Sequence, residues 1–492
     1  SCGHSTTTAV SGKAARASST PAHICSLVSA RSTTSASAAF LRRNRRLAEG
    51  WEERLVPADW LAHVPWAMRE RRGCDLWLQA ASGGEARLAL AVLEALPERP
   101  TKRDARPGSE DGAWRVLMTT WTRQGRDMLE RGASRICALR GDMLCAVRFA
   151  PLDEPDTALR ALELAEPRVL ALLETELWPG LMSACREKDV PLAVLNGRMT
   201  STSHECYRML RGVLRGMSPR RVLAMSGEDR SRFAGIFEGA GSPPCRPELM
   251  PNIKFDLAAV SLAEEHAAPF LPEMACGGEV RLLFGGAPLA LFASIREQEE
   301  NRLCPRILEL RSRNPSCVIV LAPRHMHRVE PWKARFYDLG LPCVPASALN
   351  TDAPCESLPP GTLVLWDRFG DLPRLYAAAD AAYVGGGFGQ GGQNFLEALT
   401  GGVVPCVGPG LGNFRWALGN DCPPGLVEAG LLRICRRAAD VREYMLEETR
   451  VRRTETEREA VRARFRSWLE MRTGGTRLAA CALTEMLEAA DG

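Results

Sequence analysis

The chain has 492 residues and no run of about eighteen apolar ones, so the sequence predicts no membrane-spanning helix. Its 17 cysteines include no Cys-Xaa-Xaa-Cys pair, and its seven histidines are dispersed, with only His325 and His327 close together. These spacings argue against a zinc site, and the cysteines read as free, mostly buried thiols in a reducing compartment. No long Lys/Arg stripe crosses the body of the chain. The 63 basic and 59 acidic residues leave a net charge of +4, so no nucleic-acid partner is expected. Asp-Xaa-Asp, a common metal signature, is also missing. No metal and no cofactor are expected.

The first 48 residues lack Asp and Glu altogether, are rich in Ser, Thr and Ala, and carry Arg42, Arg43, Arg45 and Arg46. Such a composition buries too little apolar surface to form a core, and it predicts a disordered basic segment. It looks like a transit peptide, yet the start at Ser1 suits a truncated reading equally. Peripheral attachment to a membrane through the arginine cluster is a further reading.

What is present is a long α/β alternation. A chain of this length exceeds what one core supports, so two domains are expected. Apolar strand candidates at 75–81, 115–121, 168–174, 191–197 and 221–226 alternate with helical spacing such as EARLALAVLEAL from Glu85. A second series lies at 280–286, 317–323, 362–367, 381–386 and 404–409. Alternation of this kind predicts parallel sheets covered by helices, hence two doubly wound units in tandem. The expected partition is a segment 1–48, a first unit 49–255, a linker 256–278 around the stretch after PNIKFD, a second unit 279–436, and a charged helical region 437–492 packing across both.

In such sheets ligands bind beyond the carboxyl ends of the strands. There the loop ASGGEAR places Ser82, Gly83 and Gly84 before Glu85 at a helix start. Glu85 reads either as a base or as a first-turn acid favoured by the helix dipole. TTWTRQG offers Thr120 and Thr122 as helix caps or substrate contacts. ETELWP supplies Glu174 and Glu176, of which one should face the cleft of Glu85. LNGRMTSTSHECY carries Arg198, a cation suited to an anionic substrate, and Lys254 lies near the domain junction. In the second unit, Gly385–Glu397 packs six glycines between a strand and a helix start, ending in Asn394 and Glu397. Glycine permits close approach of backbone to phosphate, although tight packing produces the same pattern.

Eight separated segments in this order, WLQAASGGE, TTWTRQG, ETELWP, NGRMTSTSHECY, PNIKFD, APRHMHR, GGGFGQGGQNFLEAL and GPGLGNF, resemble the Kdo transferase family over about residues 50–430. Those glycosyltransferases attach 3-deoxy-D-manno-octulosonic acid (Kdo) to the lipid A precursor. The resemblance implies a GT-B fold, two Rossmann-like domains facing a central cleft. It also implies a CMP-Kdo donor, a lipid IVA acceptor, inversion without a metal, and work at the cytoplasmic face of the bacterial inner membrane. It assigns the general base to Glu85, support to Glu174 or Glu176, and the donor phosphate to Arg324 and His325. Nucleotide contacts fall to Gly391, Gly392, Asn394 and Glu397. Two positions depart from the family pattern: Gln79 and Gln393 stand where histidine is common. Glutamine cannot titrate near neutral pH, which puts proton shuttling there in doubt. A sugar-nucleotide epimerase of the same fold and a non-catalytic nucleotide-sugar binding protein are the competing readings.

Overall fold

The computed structural model describes residues 49–66, 73–99, 113–174, 177–267, 284, 286–349, 358–368, 370–389, 391–418 and 424–490. The segment 1–48, with its arginine cluster, and Glu176 lie outside the described residues.

The first unit begins with α1 (Trp51–Arg54). It continues as β1 (Leu76–Ala80), α2 (Gly83–Glu94), β2 (Trp114–Thr120), α3 (Arg123–Leu139), β3 (Met143–Phe149), α4 (Pro155–Ala165), β4 (Val169–Leu173), α5 (Pro179–Glu187) and β5 (Leu192–Gly197). Then come α6 (Ser201–Met209), α7 (Arg211–Gly216), β6 (Arg221–Ala224), α8 (Gly227–Phe237), β7 (Glu248–Leu249) and α9 (Ile253–Ala267). The second unit runs β8 (Leu289–Ile295), α10 (Glu297–Arg313), β9 (Val318–Pro323), α11 (Val329–Asp338), β10 (Cys343–Pro345), β11 (Leu363–Leu365) and α12 (Leu372–Ala378). It ends with β12 (Ala381–Val384), α13 (Leu396–Thr400), β13 (Pro405–Val407), β14 (Arg433–Ile434), α14 (Ala438–Glu448), α15 (Glu455–Leu469) and α16 (Gly475–Ala489).

Each unit holds a seven-stranded sheet, ordered β3-β2-β1-β4-β5-β6-β7 and β10-β11-β9-β8-β12-β13-β14, with every pairing parallel. Central strands β1, β4 and β8 are buried throughout, as expected of strands covered by helices on both faces. Two apolar clusters flank each sheet: one around Trp77 and one around Leu78 in the first unit, one around Val320 and one around Phe292 in the second. Four helices of the first unit start at hydroxyl caps: Ser82, Thr122, Thr200 and Ser226 each accept the backbone N–H three residues on. The strand order reverses between β1 and β4 and again between β8 and β12, which creates a crevice at the carboxyl end of each sheet.

Several features differ from the sequence expectation, among them the short strands β7, β10 and β14, which no expected range covers. The strand expected at 280–286 falls largely on residues outside the described set, and the first described strand of that unit is Leu289–Ile295. An unanticipated strand, β3, forms the edge of the first sheet; its half-exposed pattern and Arg148 weaken its apolar signal. The expected linker 256–278 is helical over its first half, because α9 runs from Ile253 to Ala267.

PNIKFD, which opens α9, joins the two units. Asn252 Nδ2 donates to Met225 Sδ, and Asn252 Oδ1 accepts from Asn196 Nδ2 at 3.3 Å, fixing the segment to the end of β5. Ile253 packs in the first unit's core, whereas Phe255 enters the second unit's, edge-on to Trp416 and Trp468. Asp256 accepts from the N–H groups of Gly474 and Thr476, both at 2.6 Å, and so holds the start of α16. From there Ala479, Leu483 and Leu487 bury against the first sheet's cluster, while Phe465 and Trp468 of α15 bury in the second. The chain therefore crosses between units twice, at α9 and again between α15 and α16.

Candidate functional site

Glu85 lies at the third position of α2, directly beyond β1 and beside the crevice between β1 and β4. It is 8% exposed. Ala81 N donates to its Oε2 at 2.5 Å and Ser82 Oγ donates to its Oε1 at 3.3 Å, while Ser82 Oγ accepts the Glu85 N–H. The first-turn capping role and a fixed, cleft-edge carboxylate are thus the same arrangement. Gly84 is exposed, and a β-carbon there would meet only Ser82 Oγ at 3.8 Å. The protein itself does not require glycine at that point, which leaves the helix entrance open to a ligand.

Glu174 ends β4 with φ +60°, and Asn196 near the end of β5 has φ +53°, both left-handed conformations unusual outside glycine. These turns aim both side chains into one buried cluster. Lys254 Nζ donates to Glu174 Oε1, Arg198 Nη2 stands 4.0 Å from Oε2, and Asn196 Oδ1 accepts from Ile253 N at 3.1 Å. Burial alone would raise the Glu174 carboxyl, but the Lys254 and Arg198 charges with hydrogen bonds from Lys254 and Asn196 outweigh it and hold it below the usual value. Because the folded value is depressed, the stability it contributes is present above the unfolded carboxyl value, near about 4.3, and is lost as pH falls through the folded one. Lys254→Met removes the principal partner of a buried charge and is expected to cost about 3 kcal/mol near pH 7. Burial then raises Glu174, so the deficit should shrink towards pH 4; urea unfolding of both proteins at the two pH values checks this.

Thr120 is fully buried at the end of β2, and Thr122 caps α3 through Gly125 N at 3.0 Å. Of the two roles open to Thr122, the structure shows the cap. Gln79 is 3% exposed and accepts from Thr119 Oγ1, whose oxygen also accepts from Trp77 Nε1 at 2.7 Å. It belongs to a buried chain within the sheet, on the opposite face of β1 from α2. Trp60, Leu61, Val64 and Trp66, which precede β1, are buried in the cluster around Trp77.

In the second unit, three loops converge at the carboxyl ends of the adjacent strands β9, β8 and β12. Arg324 is exposed, and its N–H donates to Ile295 O at 2.9 Å; His325 follows, stacked on His327 with centroids 5.5 Å apart. The glycine loop follows β12. Its glycines answer mostly to backbone packing: a β-carbon on Gly385 would lie 2.3 Å from Ser294 O, and one on Gly387 2.5 Å from Gly408 Cα. Its amides point inward as well. Gly385 N donates to Ala293 O, Gly389 N to Gly386 O, and Gly386 N and Phe388 N to the carboxylate of Glu299. Four of the five amides of residues 385–389 are therefore taken by protein acceptors. The helix after the loop is also short, since α13 spans five residues and Asn394 precedes it.

Glu299 was not singled out by the sequence reading. It is fully buried at the third position of α10. Its Oε1 accepts from Tyr383 Oη at 2.6 Å and Phe388 N at 3.0 Å, and its Oε2 accepts from Gly386 N at 2.5 Å and Arg296 N at 3.1 Å. Four donors on one carboxylate fix the loop to the α10 start. Burial and this neighbouring charge push the Tyr383 phenol well above its usual value, so it stays a donor.

Beyond Gly391, at φ +81°, and Gly392, packed on Leu411, the loop reaches Asn394 and Glu397. Asn394 Nδ2 donates to Glu397 Oε1 at 3.1 Å, and Arg87 Nη1 of α2 donates to the same oxygen at 3.0 Å. Arg87 stands two residues after Glu85, so the end of the loop after β12 lies against the first turns of α2. Half-exposed as it is, this pair adds little stability; its value is to show proximity. Among the described residues, no three His, Cys, Asp or Glu side chains converge on a point that could hold a metal ion.

The profile of the family described as 3-Deoxy-D-manno-octulosonic-acid transferase (kdotransferase) matches residues 49–257. A 3-deoxy-D-manno-octulosonic acid transferase of Bordetella pertussis is 30% identical over 459 residues, covering 91% of this chain and 95% of the relative. One from Rickettsia bellii (strain RML369-C) is 24% identical, covering 66% and 68%. Among solved structures, the chain is similar to the C-terminal CMP-Kdo binding domain of WaaA from Acinetobacter baumannii, with 20% identity, 44% of this chain and 100% of that chain covered, and TM-score 0.32. With a relative matched over nearly its whole length, the chain belongs to the 3-deoxy-D-manno-octulosonic acid transferase family, glycosyltransferases of lipopolysaccharide biosynthesis.

Proposed function

We propose that this chain moves Kdo from CMP-Kdo to the lipid A precursor lipid IVA by direct displacement, with Glu85 as general base and inversion at the anomeric carbon. The observation that carries this reading is the 3.0 Å contact between Arg87 and Glu397, which brings the helix bearing Glu85 against the nucleotide-side loop. An acceptor hydroxyl at the open Gly84 entrance loses its proton to Glu85 as its oxygen attacks the anomeric carbon. The departing cytidylate is a single phosphate, and exposed Arg324 with neighbouring His325 are suited to its charge. Glu397 and Asn394 offer acceptor and donor groups to the ribose. Glu174 is bound by Lys254 and near Arg198; it shapes the cleft floor and does not serve as a second base.

The chain's own side chains supply the base and the charge at the leaving group, so the reaction is proposed to run without a metal. Family membership favours transfer over the epimerase reading. No helix among the described residues is long and apolar enough to cross a membrane, and the lipid acceptor points to peripheral work at the cytoplasmic face of the bacterial inner membrane. In the test, purified protein receives CMP-Kdo and lipid IVA in excess chelator, with lipids resolved by mass. The expected result is one CMP released per Kdo attached to lipid. Conversion of the sugar nucleotide without lipid, or no product at all, would contradict the proposal.

A further inference from the structure

Twelve described cysteines are free, and most are buried; burial pushes Cys74, Cys185 and Cys317 up to about 12. Cys137 and Cys145 differ. Cys137 is on α3 and Cys145 on edge strand β3, both partly exposed where the helix packs on the strand. Both line a groove of about 400 Å³ beside the edge strand, whose walls include His63, Glu130, Met143 and Arg148. A second thiol pair, Cys406 and Cys435, is fully enclosed by the second unit's core, with no comparable access.

We propose that Cys137 and Cys145 form a dithiol site that exchanges with small disulfides entering this groove, Cys137 as attacking thiolate and Cys145 as resolving thiol. The proton donated by Cys145 stabilises the Cys137 thiolate and brings it down to about 7, while Cys145 is pushed far up and stays protonated. The charged groups facing the pair are Glu130 of α3, Arg148 of β3, His63 of the preceding segment, and Arg140, whose charge acts on Cys145. In the first step the Cys137 thiolate attacks one sulfur of RS–SR, forming a mixed disulfide and expelling RS⁻. That thiolate takes the Cys145 proton. Cys145 sulfur then attacks Cys137 sulfur, the mixed disulfide breaks, and a second RS⁻ leaves to be protonated by solvent. In sum, RSSR and two protein thiols give one protein disulfide and two RSH.

The test uses the intact protein, limiting oxidised glutathione at pH 7, and peptide mapping by mass after an alkylating quench. Cys481, the exposed thiol on α16, is the internal reference. Cys137 should react faster than Cys481 despite its lower exposure, and a peptide linked through Cys137 and Cys145 should accumulate. Cys145→Ala removes the proton donor. A thiol returning from about 7 to 9.0 loses about fiftyfold in thiolate at pH 7 but gains nearly tenfold in nucleophilicity, so its reaction should slow about fivefold. Its pH midpoint should rise towards 9.0. Cys145→Ser, which keeps a donor, should restore most of the rate. Cys137 reacting no faster than Cys481, or glutathione remaining on Cys137 with no 137–145 link, would overturn the proposal.

Discussion

Glu85→Ala protein is expected to hold CMP with wild-type affinity yet to transfer Kdo about 10²- to 10⁴-fold more slowly, the usual contribution of a positioned general base. Two opposing effects decide how cleanly this is seen. The carboxylate also receives Ala81 N and Ser82 Oγ, so its removal frees two polar groups at the start of α2. Ser82 still caps the helix through its own oxygen, which keeps the loss of stability near about 1 kcal/mol. A fold loosened by that amount cannot produce a hundredfold fall in kcat at saturating substrate. Glu85→Gln gives the sharper comparison, because the amide oxygen can still accept from Ala81 N while the side chain cannot take a proton. Undiminished turnover in either variant would remove Glu85 from the base role.

Glu299→Gln is expected to have the second large effect, and here on binding as well as on stability. The carboxylate divides its oxygens between two donor pairs, Tyr383 with Phe388 and Gly386 with Arg296. Glutamine turns an NH₂ group towards one of those pairs, so two buried donors lose their acceptor. At about 1–3 kcal/mol for each, the expected loss is about 2–5 kcal/mol. Freed from α10, the loop between β12 and α13 should lose its fixed shape, with CMP affinity falling at least about tenfold. Tyr383→Phe removes one donor and leaves the carboxylate satisfied by three, so its effect should be small. Titration with CMP alongside urea unfolding distinguishes the outcomes: wild-type affinity in Glu299→Gln would show that the carboxylate does not position the donor loop.

The contrast between these two acids shows what the sequence can convey. Glu85 is legible because its partners are local: Ser82 is three residues away and Ala81 four, inside one short motif between a strand and a helix. Glu299 is invisible in the same terms because its partners, Tyr383 and Phe388, are 84 and 89 residues distant. Its loop also went unread, because the apolar run before Gly285 and Gly286 drew the first strand of the second unit too early. The two sheets could be read from fully buried strands such as β4 and β9, whose apolar runs are continuous. Edge strand β3, half exposed and interrupted by Arg148, lacks that signal.

The glycine loop teaches the opposite lesson. Its composition has two physical causes with one signature, close backbone packing and phosphate binding, and only the direction of the amides separates them. Those of 385, 386, 388 and 389 turn to protein acceptors. The position of PNIKFD between the two strand series is visible in the sequence. That its side chains serve two cores and a returning helix follows only from three-dimensional placement.

The central claim is a single displacement, in one cleft, of CMP by an acceptor hydroxyl that Glu85 deprotonates. The anomeric configuration of Kdo in the lipid product, read by NMR from isotopically labelled CMP-Kdo, tests it most directly. Inversion relative to the donor is the predicted result; retention would require an intermediate that this account does not contain, and would contradict it.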